Sequence, residues 1–263
     1  MPTHTKRRTW TKLRNNLRVF GPLDTARAVL LHFLNRSNDR FDRRWGVATD
    51  GDFTASDVTS PNLALGKPYQ PTHERVLRHL MQALPIDPAE YSFVDLGCGR
   101  GRALLMASQL PYRRVTGIEF SPSLCSDASR NIELFRERHE RRMRCARIDV
   151  VCDDVCNMDV PDGNVVFYMF NPFEPPILTR VMERIDQAAA RETRDVLIAY
   201  CHSQHGTSML EERGCEMIGE HRMISPFWSW SLWRWPRRTV RTLTLDPRPR
   251  PTSLRPTSAA RGA

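Results

Sequence analysis

The sequence predicts an α/β protein with a mostly parallel sheet and helices on both faces. Three observations lead there. Short apolar, β-branched runs at 91–96, 115–120, 147–152, 164–170 and 195–201 alternate with helical patterns, as in strands joined by helical crossovers. The first of these runs passes through a glycine-rich turn straight into a helix. No apolar run approaches the ~18 residues of a membrane span; the longest candidate, 28–34, is interrupted by His32.

The chain opens on a basic amphipathic pattern at 9–20, where Trp10, Leu13, Leu17 and Phe20 share a helical face between Lys12, Arg14 and Arg18. Gly21 and Pro22 end it, and a second helical pattern over 23–35 puts Ala28, Leu31 and Leu34 on one face. Residues 46–72, rich in Gly, Asp, Ser, Thr and Pro, read as an irregular linker that ends in Tyr69-Gln70-Pro71-Thr72. Regularity begins with a helix at 73–84, whose apolar positions are Val76, Leu77, Leu80 and Met81. After the strand at 91–96 come a helix at 102–110, a strand at 115–120, and a long helix at 121–141 opened by Ser121 as cap and Pro122 in the first turn. Strands at 147–152 and 164–170, a helix at 175–190, a strand at 195–201, a short helix at 206–213 and a strand at 215–223 follow. A seventh strand is expected at 239–245, just after a segment, 227–235, that holds four of the six tryptophans. Packing, a substrate lip and an interfacial membrane contact are the three readings of that segment.

The domain plan is therefore a basic helical extension (1–45), an irregular linker (46–72), a main domain (73–245) and a Pro-, Arg-, Ser- and Thr-rich tail (246–263). The tail has almost nothing to bury and is expected to be disordered. The formal charge of +9 is unevenly placed: residues 1–45 carry +8, residues 234–263 carry +7, and the middle is acidic at −6. Two basic ends around an acidic centre do not describe a basic nucleic-acid-binding core, although the ends themselves suit an anionic partner, nucleic acid or the face of a membrane. The N-terminus lacks an apolar stretch before a small-residue cleavage site, so no secretory signal is expected; having no acid over 1–23, it is compatible with an organellar transit peptide. Seven cysteines, an odd number without regular spacing, suit reduced thiols and a cytoplasmic location. Neither Cys152 with Cys156 nor Cys201 with His202 and His205 has the spacing of a four-ligand zinc site, so no metal is expected.

The residues that carry chemistry begin at Asp95-Leu96-Gly97-Cys98-Gly99-Arg100-Gly101-Arg102, where a strand gives way to a helix. Glycines at 97, 99 and 101 permit positive φ and close approach of a ligand to the main chain, and the helix start offers free N–H groups. The spacing is G-x-G-x-G; a dinucleotide fingerprint needs another glycine where Arg102 stands, and a phosphate-binding loop needs a Lys-Ser/Thr that is absent. The second strand ends in Glu119, 20 residues after Gly99, where a carboxylate can accept both hydroxyls of a ribose.

The run Asp95-Leu96-Gly97-Cys98-Gly99-Arg100-Gly101 after a strand resembles the first motif of the class I S-adenosylmethionine-dependent methyltransferases, over roughly residues 70–245. The resemblance implies a Rossmann-like, seven-stranded, mostly parallel sheet and S-adenosylmethionine as cofactor. It implies cofactor-binding roles for Asp95, Gly97, Cys98, Gly99 and Gly101, and makes Glu119 the ribose-binding acid. It places an adenine-contacting acid after the third strand, at Asp153 or Asp154; the usual Gly-Asp-Ala is here Asp153-Asp154-Val155, which favours Asp154 and leaves the pair open. Asn171-Pro172-Phe173 after the fourth strand resembles the N/D-P-P-Y/F motif of amino-directed enzymes, with one proline in place of two. An Asn carboxamide oxygen and a neighbouring carbonyl can accept both N–H bonds of an amine and aim its lone pair, with an aromatic ring beside it. The plain reading of Asn171-Pro172 is a turn that ends a buried strand. Tyr69 either closes over the cofactor or anchors the linker, and Glu174 is the nearest acid that could take a proton. The expected reaction is methyl transfer to a nitrogen of a protein side chain or small molecule. A nucleic-acid methyltransferase clamping through its basic termini and a non-enzymatic module that keeps the pocket are the alternatives. The acceptor and the oligomeric state are left open.

Overall fold

The computed structural model describes residues 38–51, 69–202, 206–222 and 229–237. The helical patterns at 9–20 and 23–35, the strand expected at 239–245 and the tail at 246–263 lie outside these residues.

Seven strands form one sheet: β1 (Tyr91–Leu96), β2 (Arg114–Glu119), β3 (Ile148–Cys152), β4 (Asn164–Phe170), β5 (Val196–Cys201), β6 (Glu216–His221) and β7 (Trp230–Arg234). Their spatial order is β3-β2-β1-β4-β5-β7-β6. The five strands from β3 to β5 pair in parallel, while β7 runs antiparallel to both β5 and β6. This is a Rossmann-like sheet with the order reversing at β1, beside β4. The helices are α1 (Asn38–Trp45), α2 (Glu74–Ala83), α3 (Arg102–Ala107), α4 (Pro122–His139), α5 (Pro175–Arg191) and α6 (Gly206–Glu212).

Alternation along the buried strands feeds two cores. Phe93, Val115, Val166, Tyr168, Leu197 and Ala199 face the side covered by α1 to α4. Val94, Leu96, Val165, Phe167, Ile198 and Tyr200 face the side covered by α5 and α6. Both faces are dry, which is why these strands read as continuous apolar runs. Helix α4 begins as its sequence predicts: the Ser121 hydroxyl accepts the Leu124 N–H at 3.3 Å and Pro122 occupies the first turn.

One strand falls where none was expected: Trp230–Arg234, inside the tryptophan-rich segment, is β7, while the strand expected at 239–245 lies outside the described residues. Trp230 and Leu232 enter one core, Trp233 and Trp235 the other. An antiparallel strand inserted between β5 and β6 is buried on both faces, so its aromatic run has the composition of an exposed lip and the role of core.

The segment before the domain is packed against it. Trp45 lies 5.3 Å from the Phe135 ring and 5.0 Å from His139, both on α4. From the same helix the Asn131 carboxamide accepts the Ala48 N–H and donates to the Ala48 carbonyl, which fixes residues 46–51 beside the glycine turn.

Candidate active site

The residues singled out in the sequence converge at the carboxyl ends of β1 to β4, where ligands bind in open α/β sheets. A cleft with about 340 Å³ of empty space, its open mouth included, is lined by Gly97, Ile118, Glu119, Phe120, Asp153, Asp154, Val155, Phe173 and Ile177.

Its floor is the turn between β1 and α3. The Gly97 and Cys98 N–H groups donate to the Ile118 carbonyl at 2.9 and 3.1 Å, and Gly101 N–H donates to the Cys98 carbonyl. The turn is thereby strapped to the end of β2. Gly97 has φ +85°, and a Cβ there would stand 3.1 Å from the Pro172 ring, so the β1 and β4 loops touch through a position that only glycine fills without strain. Gly99 has φ +51° and carries the Tyr69 ring directly against it. The structure thus puts Tyr69 on the glycine turn; its hydroxyl donates to the Thr49 carbonyl.

Glu119 ends β2 and is 4% exposed. Its carboxylate accepts the Gly99 N–H at 2.9 Å and the Ser121 N–H at 3.1 Å. Burial raises its pKa, opposed by backbone N–H groups of Ser121, Gly99 and Phe120. Asp95, buried in the penultimate position of β1, has its carboxyl held well above the ordinary range by burial first and by the Glu119 charge second. Burial also raises the Cys98 thiol, whose sulfur sits where Gly117 leaves room.

Both acids after β3 reach the cleft. Asp153 accepts the Asp154 N–H and the Asn157 side-chain N–H, while Asp154 caps the next turn through the Cys156 N–H at 2.9 Å. Asn171 leaves β4 with φ 40° and is 6% exposed; its Oδ1 is buried without a hydrogen-bond partner. Two residues on, Phe173 lines the cleft. Glu174 stands at the N-cap of α5.

Sequence reasoning missed the clasp that holds the glycine turn from outside. Arg102, 2% exposed, donates from Nε to the Thr49 hydroxyl at 2.7 Å and from Nη2 to Asp42 at 3.4 Å, and its guanidinium lies 4.9 Å from the Phe41 ring. Asp42 also accepts the N–H groups of Thr49 and Asp50. Arg100 reaches the same segment at the Asp50 carbonyl and pairs with Asp127 at 2.9 Å. The signal available was Arg102 itself, standing where a dinucleotide fold has glycine. It also missed His202, which follows β5 with φ 51° and is buried beside Phe170. Among the described residues there is no cluster of three or more potential metal ligands, and no helix is long and apolar enough to cross a membrane.

Residues 93–192 match a protein-family model described as a methyltransferase domain. No curated protein matches the chain. Among solved structures, an RNA methyltransferase from Salinibacter ruber in complex with S-adenosyl-L-homocysteine is 17% identical, with a TM-score of 0.44 over 67% of this chain and 99% of that one. An S-adenosylmethionine-dependent methyltransferase from Geobacter sulfurreducens is 15% identical, with a TM-score of 0.43 over 65% of this chain and 94% of that one. A magnesium protoporphyrin IX methyltransferase from Synechocystis is 14% identical, with a TM-score of 0.41 over 61% and 76%.

Proposed function

We propose that this chain is a class I S-adenosylmethionine-dependent methyltransferase that methylates a nitrogen of a protein side chain or small molecule, as its methyltransferase-domain match and its Rossmann-like sheet support. The cofactor is S-adenosylmethionine, and the cleft has the chemistry to take it. Glu119 offers two carboxylate oxygens to a pair of ribose hydroxyls, and Ile118, Phe120 and Val155 offer apolar walls to a flat ring. Asp154, with Asp153 beside it in the cleft lining, would accept from an exocyclic amino group. Asp95, Gly97, Cys98, Gly99 and Gly101 form the turn that would hold part of the cofactor, and Tyr69 packs over that turn. When bound, the cofactor supplies a methyl group already activated on a sulfonium, so the protein's own task is positioning.

The observation that carries the nitrogen reading is the orphaned Oδ1 of Asn171. A buried carbonyl oxygen without a donor costs about 1–3 kcal/mol, and Asn171 holds that oxygen on a left-handed backbone two residues before Phe173 of the cleft lining. An amine N–H is the missing donor. Pro172 and Phe173 hold this loop on Gly97 and give the acceptor an aromatic wall. The division into extension (1–45), linker (46–72), catalytic domain (73–245) and tail (246–263) belongs to the same reading.

The test is transfer of labelled methyl from S-adenosylmethionine into fractionated protein, RNA and small-molecule pools. The expected product is an acid- and base-stable N-methyl amine, lost with Asn171→Ala. A base-labile methyl ester, or label confined to RNA, overturns the reading. The RNA outcome is kept in view by one observation: residues 136–147 carry six arginines against two glutamates on one end of the domain, a surface suited to phosphates.

A further inference from the structure

Two non-glycine residues among those described have left-handed backbone, Asn171 and His202, and they are neighbours by topology. The β4–β5 register pairs Phe170 with Cys201, so Asn171 and His202 are the first residues beyond two adjacent parallel strands. Both are buried, at 6% and 7% exposure. The His202 ring stacks on Phe170 at 5.8 Å and 21°, and its backbone N–H donates to the Ser229 carbonyl at 3.0 Å, which ties the turn to the residue before β7. A left-handed L-residue costs roughly 1–2 kcal/mol. Two such residues side by side, at the strand ends where this fold binds ligands, point to a shared task.

We propose that His202 is the second hydrogen-bond acceptor for the methyl-accepting amine, receiving the N–H that Asn171 does not. The proposal rests on the nitrogen-directed reading above and deepens it. A single acceptor leaves an amine free to turn about its N–H···O axis, and the lone pair sweeps a cone. A second acceptor removes that freedom and aims the lone pair along one line.

The imidazole has the right protonation state for this. Burial lowers its pKa below 6.5, so at neutral pH one ring nitrogen is unprotonated. The titratable groups on the packed elements do not reverse this: burial holds Tyr168 on β4, Cys201 on β5 and Asp95 on β1 toward their protonated forms. Beyond them, His221 on β6 and His79 on α2 stack with Trp230, the residue paired with Cys201. The Glu174 carboxyl opens α5 two residues after Pro172.

The test uses sinefungin, the cofactor analogue in which a carbon bearing a primary amine replaces the methylsulfonium, with S-adenosylhomocysteine as the analogue lacking any group there. Calorimetric titration of the full chain between pH 5 and 8 gives the ratio of the two affinities. The expected result is a preference for sinefungin at pH 7.5 that falls as the pH drops below 6.5. His202→Gly, which fits the left-handed backbone without strain, should cut that preference about tenfold and flatten its pH dependence. Affinity for S-adenosylhomocysteine should not change, and added imidazole should restore part of the loss. Should the glycine variant fail to bind S-adenosylhomocysteine, His202→Asn decides: it tolerates the same backbone and must lose the pH dependence. If both variants keep the wild-type ratio and pH profile while Asn171→Ala loses the preference, the role of His202 is overturned and the nitrogen reading stands. If Asn171→Ala also keeps it, the nitrogen reading has failed and this inference with it.

Discussion

The Glu119 carboxylate accepts a hydrogen bond from the Gly99 N–H at 2.9 Å, joining the end of β2 to the middle of the glycine turn. The same carboxylate accepts the Ser121 N–H, so one buried side chain shapes both the cleft floor and the start of α4. Glu119→Gln keeps the volume, loses the charge and turns one acceptor into a donor facing N–H groups. S-adenosylhomocysteine affinity, measured by calorimetry, is expected to fall between about tenfold and a hundredfold. Unchanged affinity would remove Glu119 from the cofactor site.

Asp95 gives a pH signature of its own. Its carboxyl is raised well above 3.8, by burial and by Glu119, so the folded protein holds this proton after the unfolded chain has released it. Its contribution to stability is therefore whole below pH 3.8 and declines as pH rises through the folded value. Asp95→Asn mimics the protonated form throughout. The ligand-free variant is expected to melt above wild type at pH 7 and to converge with it near pH 4; a lower Tm at pH 7 would contradict this.

The clasp makes the N-terminal segment part of the domain's stability. Asp42→Ala leaves the Arg102 guanidinium buried with the Thr49 hydroxyl and the Phe41 ring for company. Removing one partner of a buried ion pair costs about 3–5 kcal/mol, less where the carboxylate is partly solvated as here, at 15% exposure. A loss of roughly 10 °C in Tm is expected by calorimetry. Glu220→Ala, which breaks the exposed Arg222–Glu220 pair, should leave Tm almost unmoved.

Gly117 and Gly99 separate two reasons for glycine. At Gly117, within β2, a Cβ would stand 2.6 Å from both the Cys98 sulfur and Leu104 Cδ1, so Gly117→Ala is an overpacking change. It should cost about 1–3 kcal/mol, and coupling to Cys98→Gly with Leu104→Ala, which together remove the crowding atoms, should recover most of that. At Gly99 the obstacle is the Tyr69 ring together with a φ of +51°. Tyr69→Ala should therefore rescue Gly99→Ala only in part, because the backbone strain remains. Equal rescue at the two sites, read from chemical denaturation, would refute the distinction.

Local pattern along the chain was enough to lay out the strands and helices from 73 to 223, the sheet's parallel core and the placing of Gly97 to Gly101, Glu119, Asp153, Asp154 and Asn171 at strand ends. Each of those features is local: a period of apolar residues, a glycine forced by a turn, an acid at a strand end. It did not mark Trp230–Arg234 as a strand, because a strand buried on both faces has no alternation to distinguish it from any other aromatic run. It gave no sign of what pairs across long separations. Arg102 finds Asp42 and Thr49 some sixty and fifty residues away, Asn131 clips Ala48, and the Thr72 hydroxyl meets Tyr168. His202 read only as an unconvincing metal ligand until the β4–β5 register set it next to Asn171. Register, burial and the identity of a distant partner are properties of the packed chain, set when segments far apart in sequence come into contact.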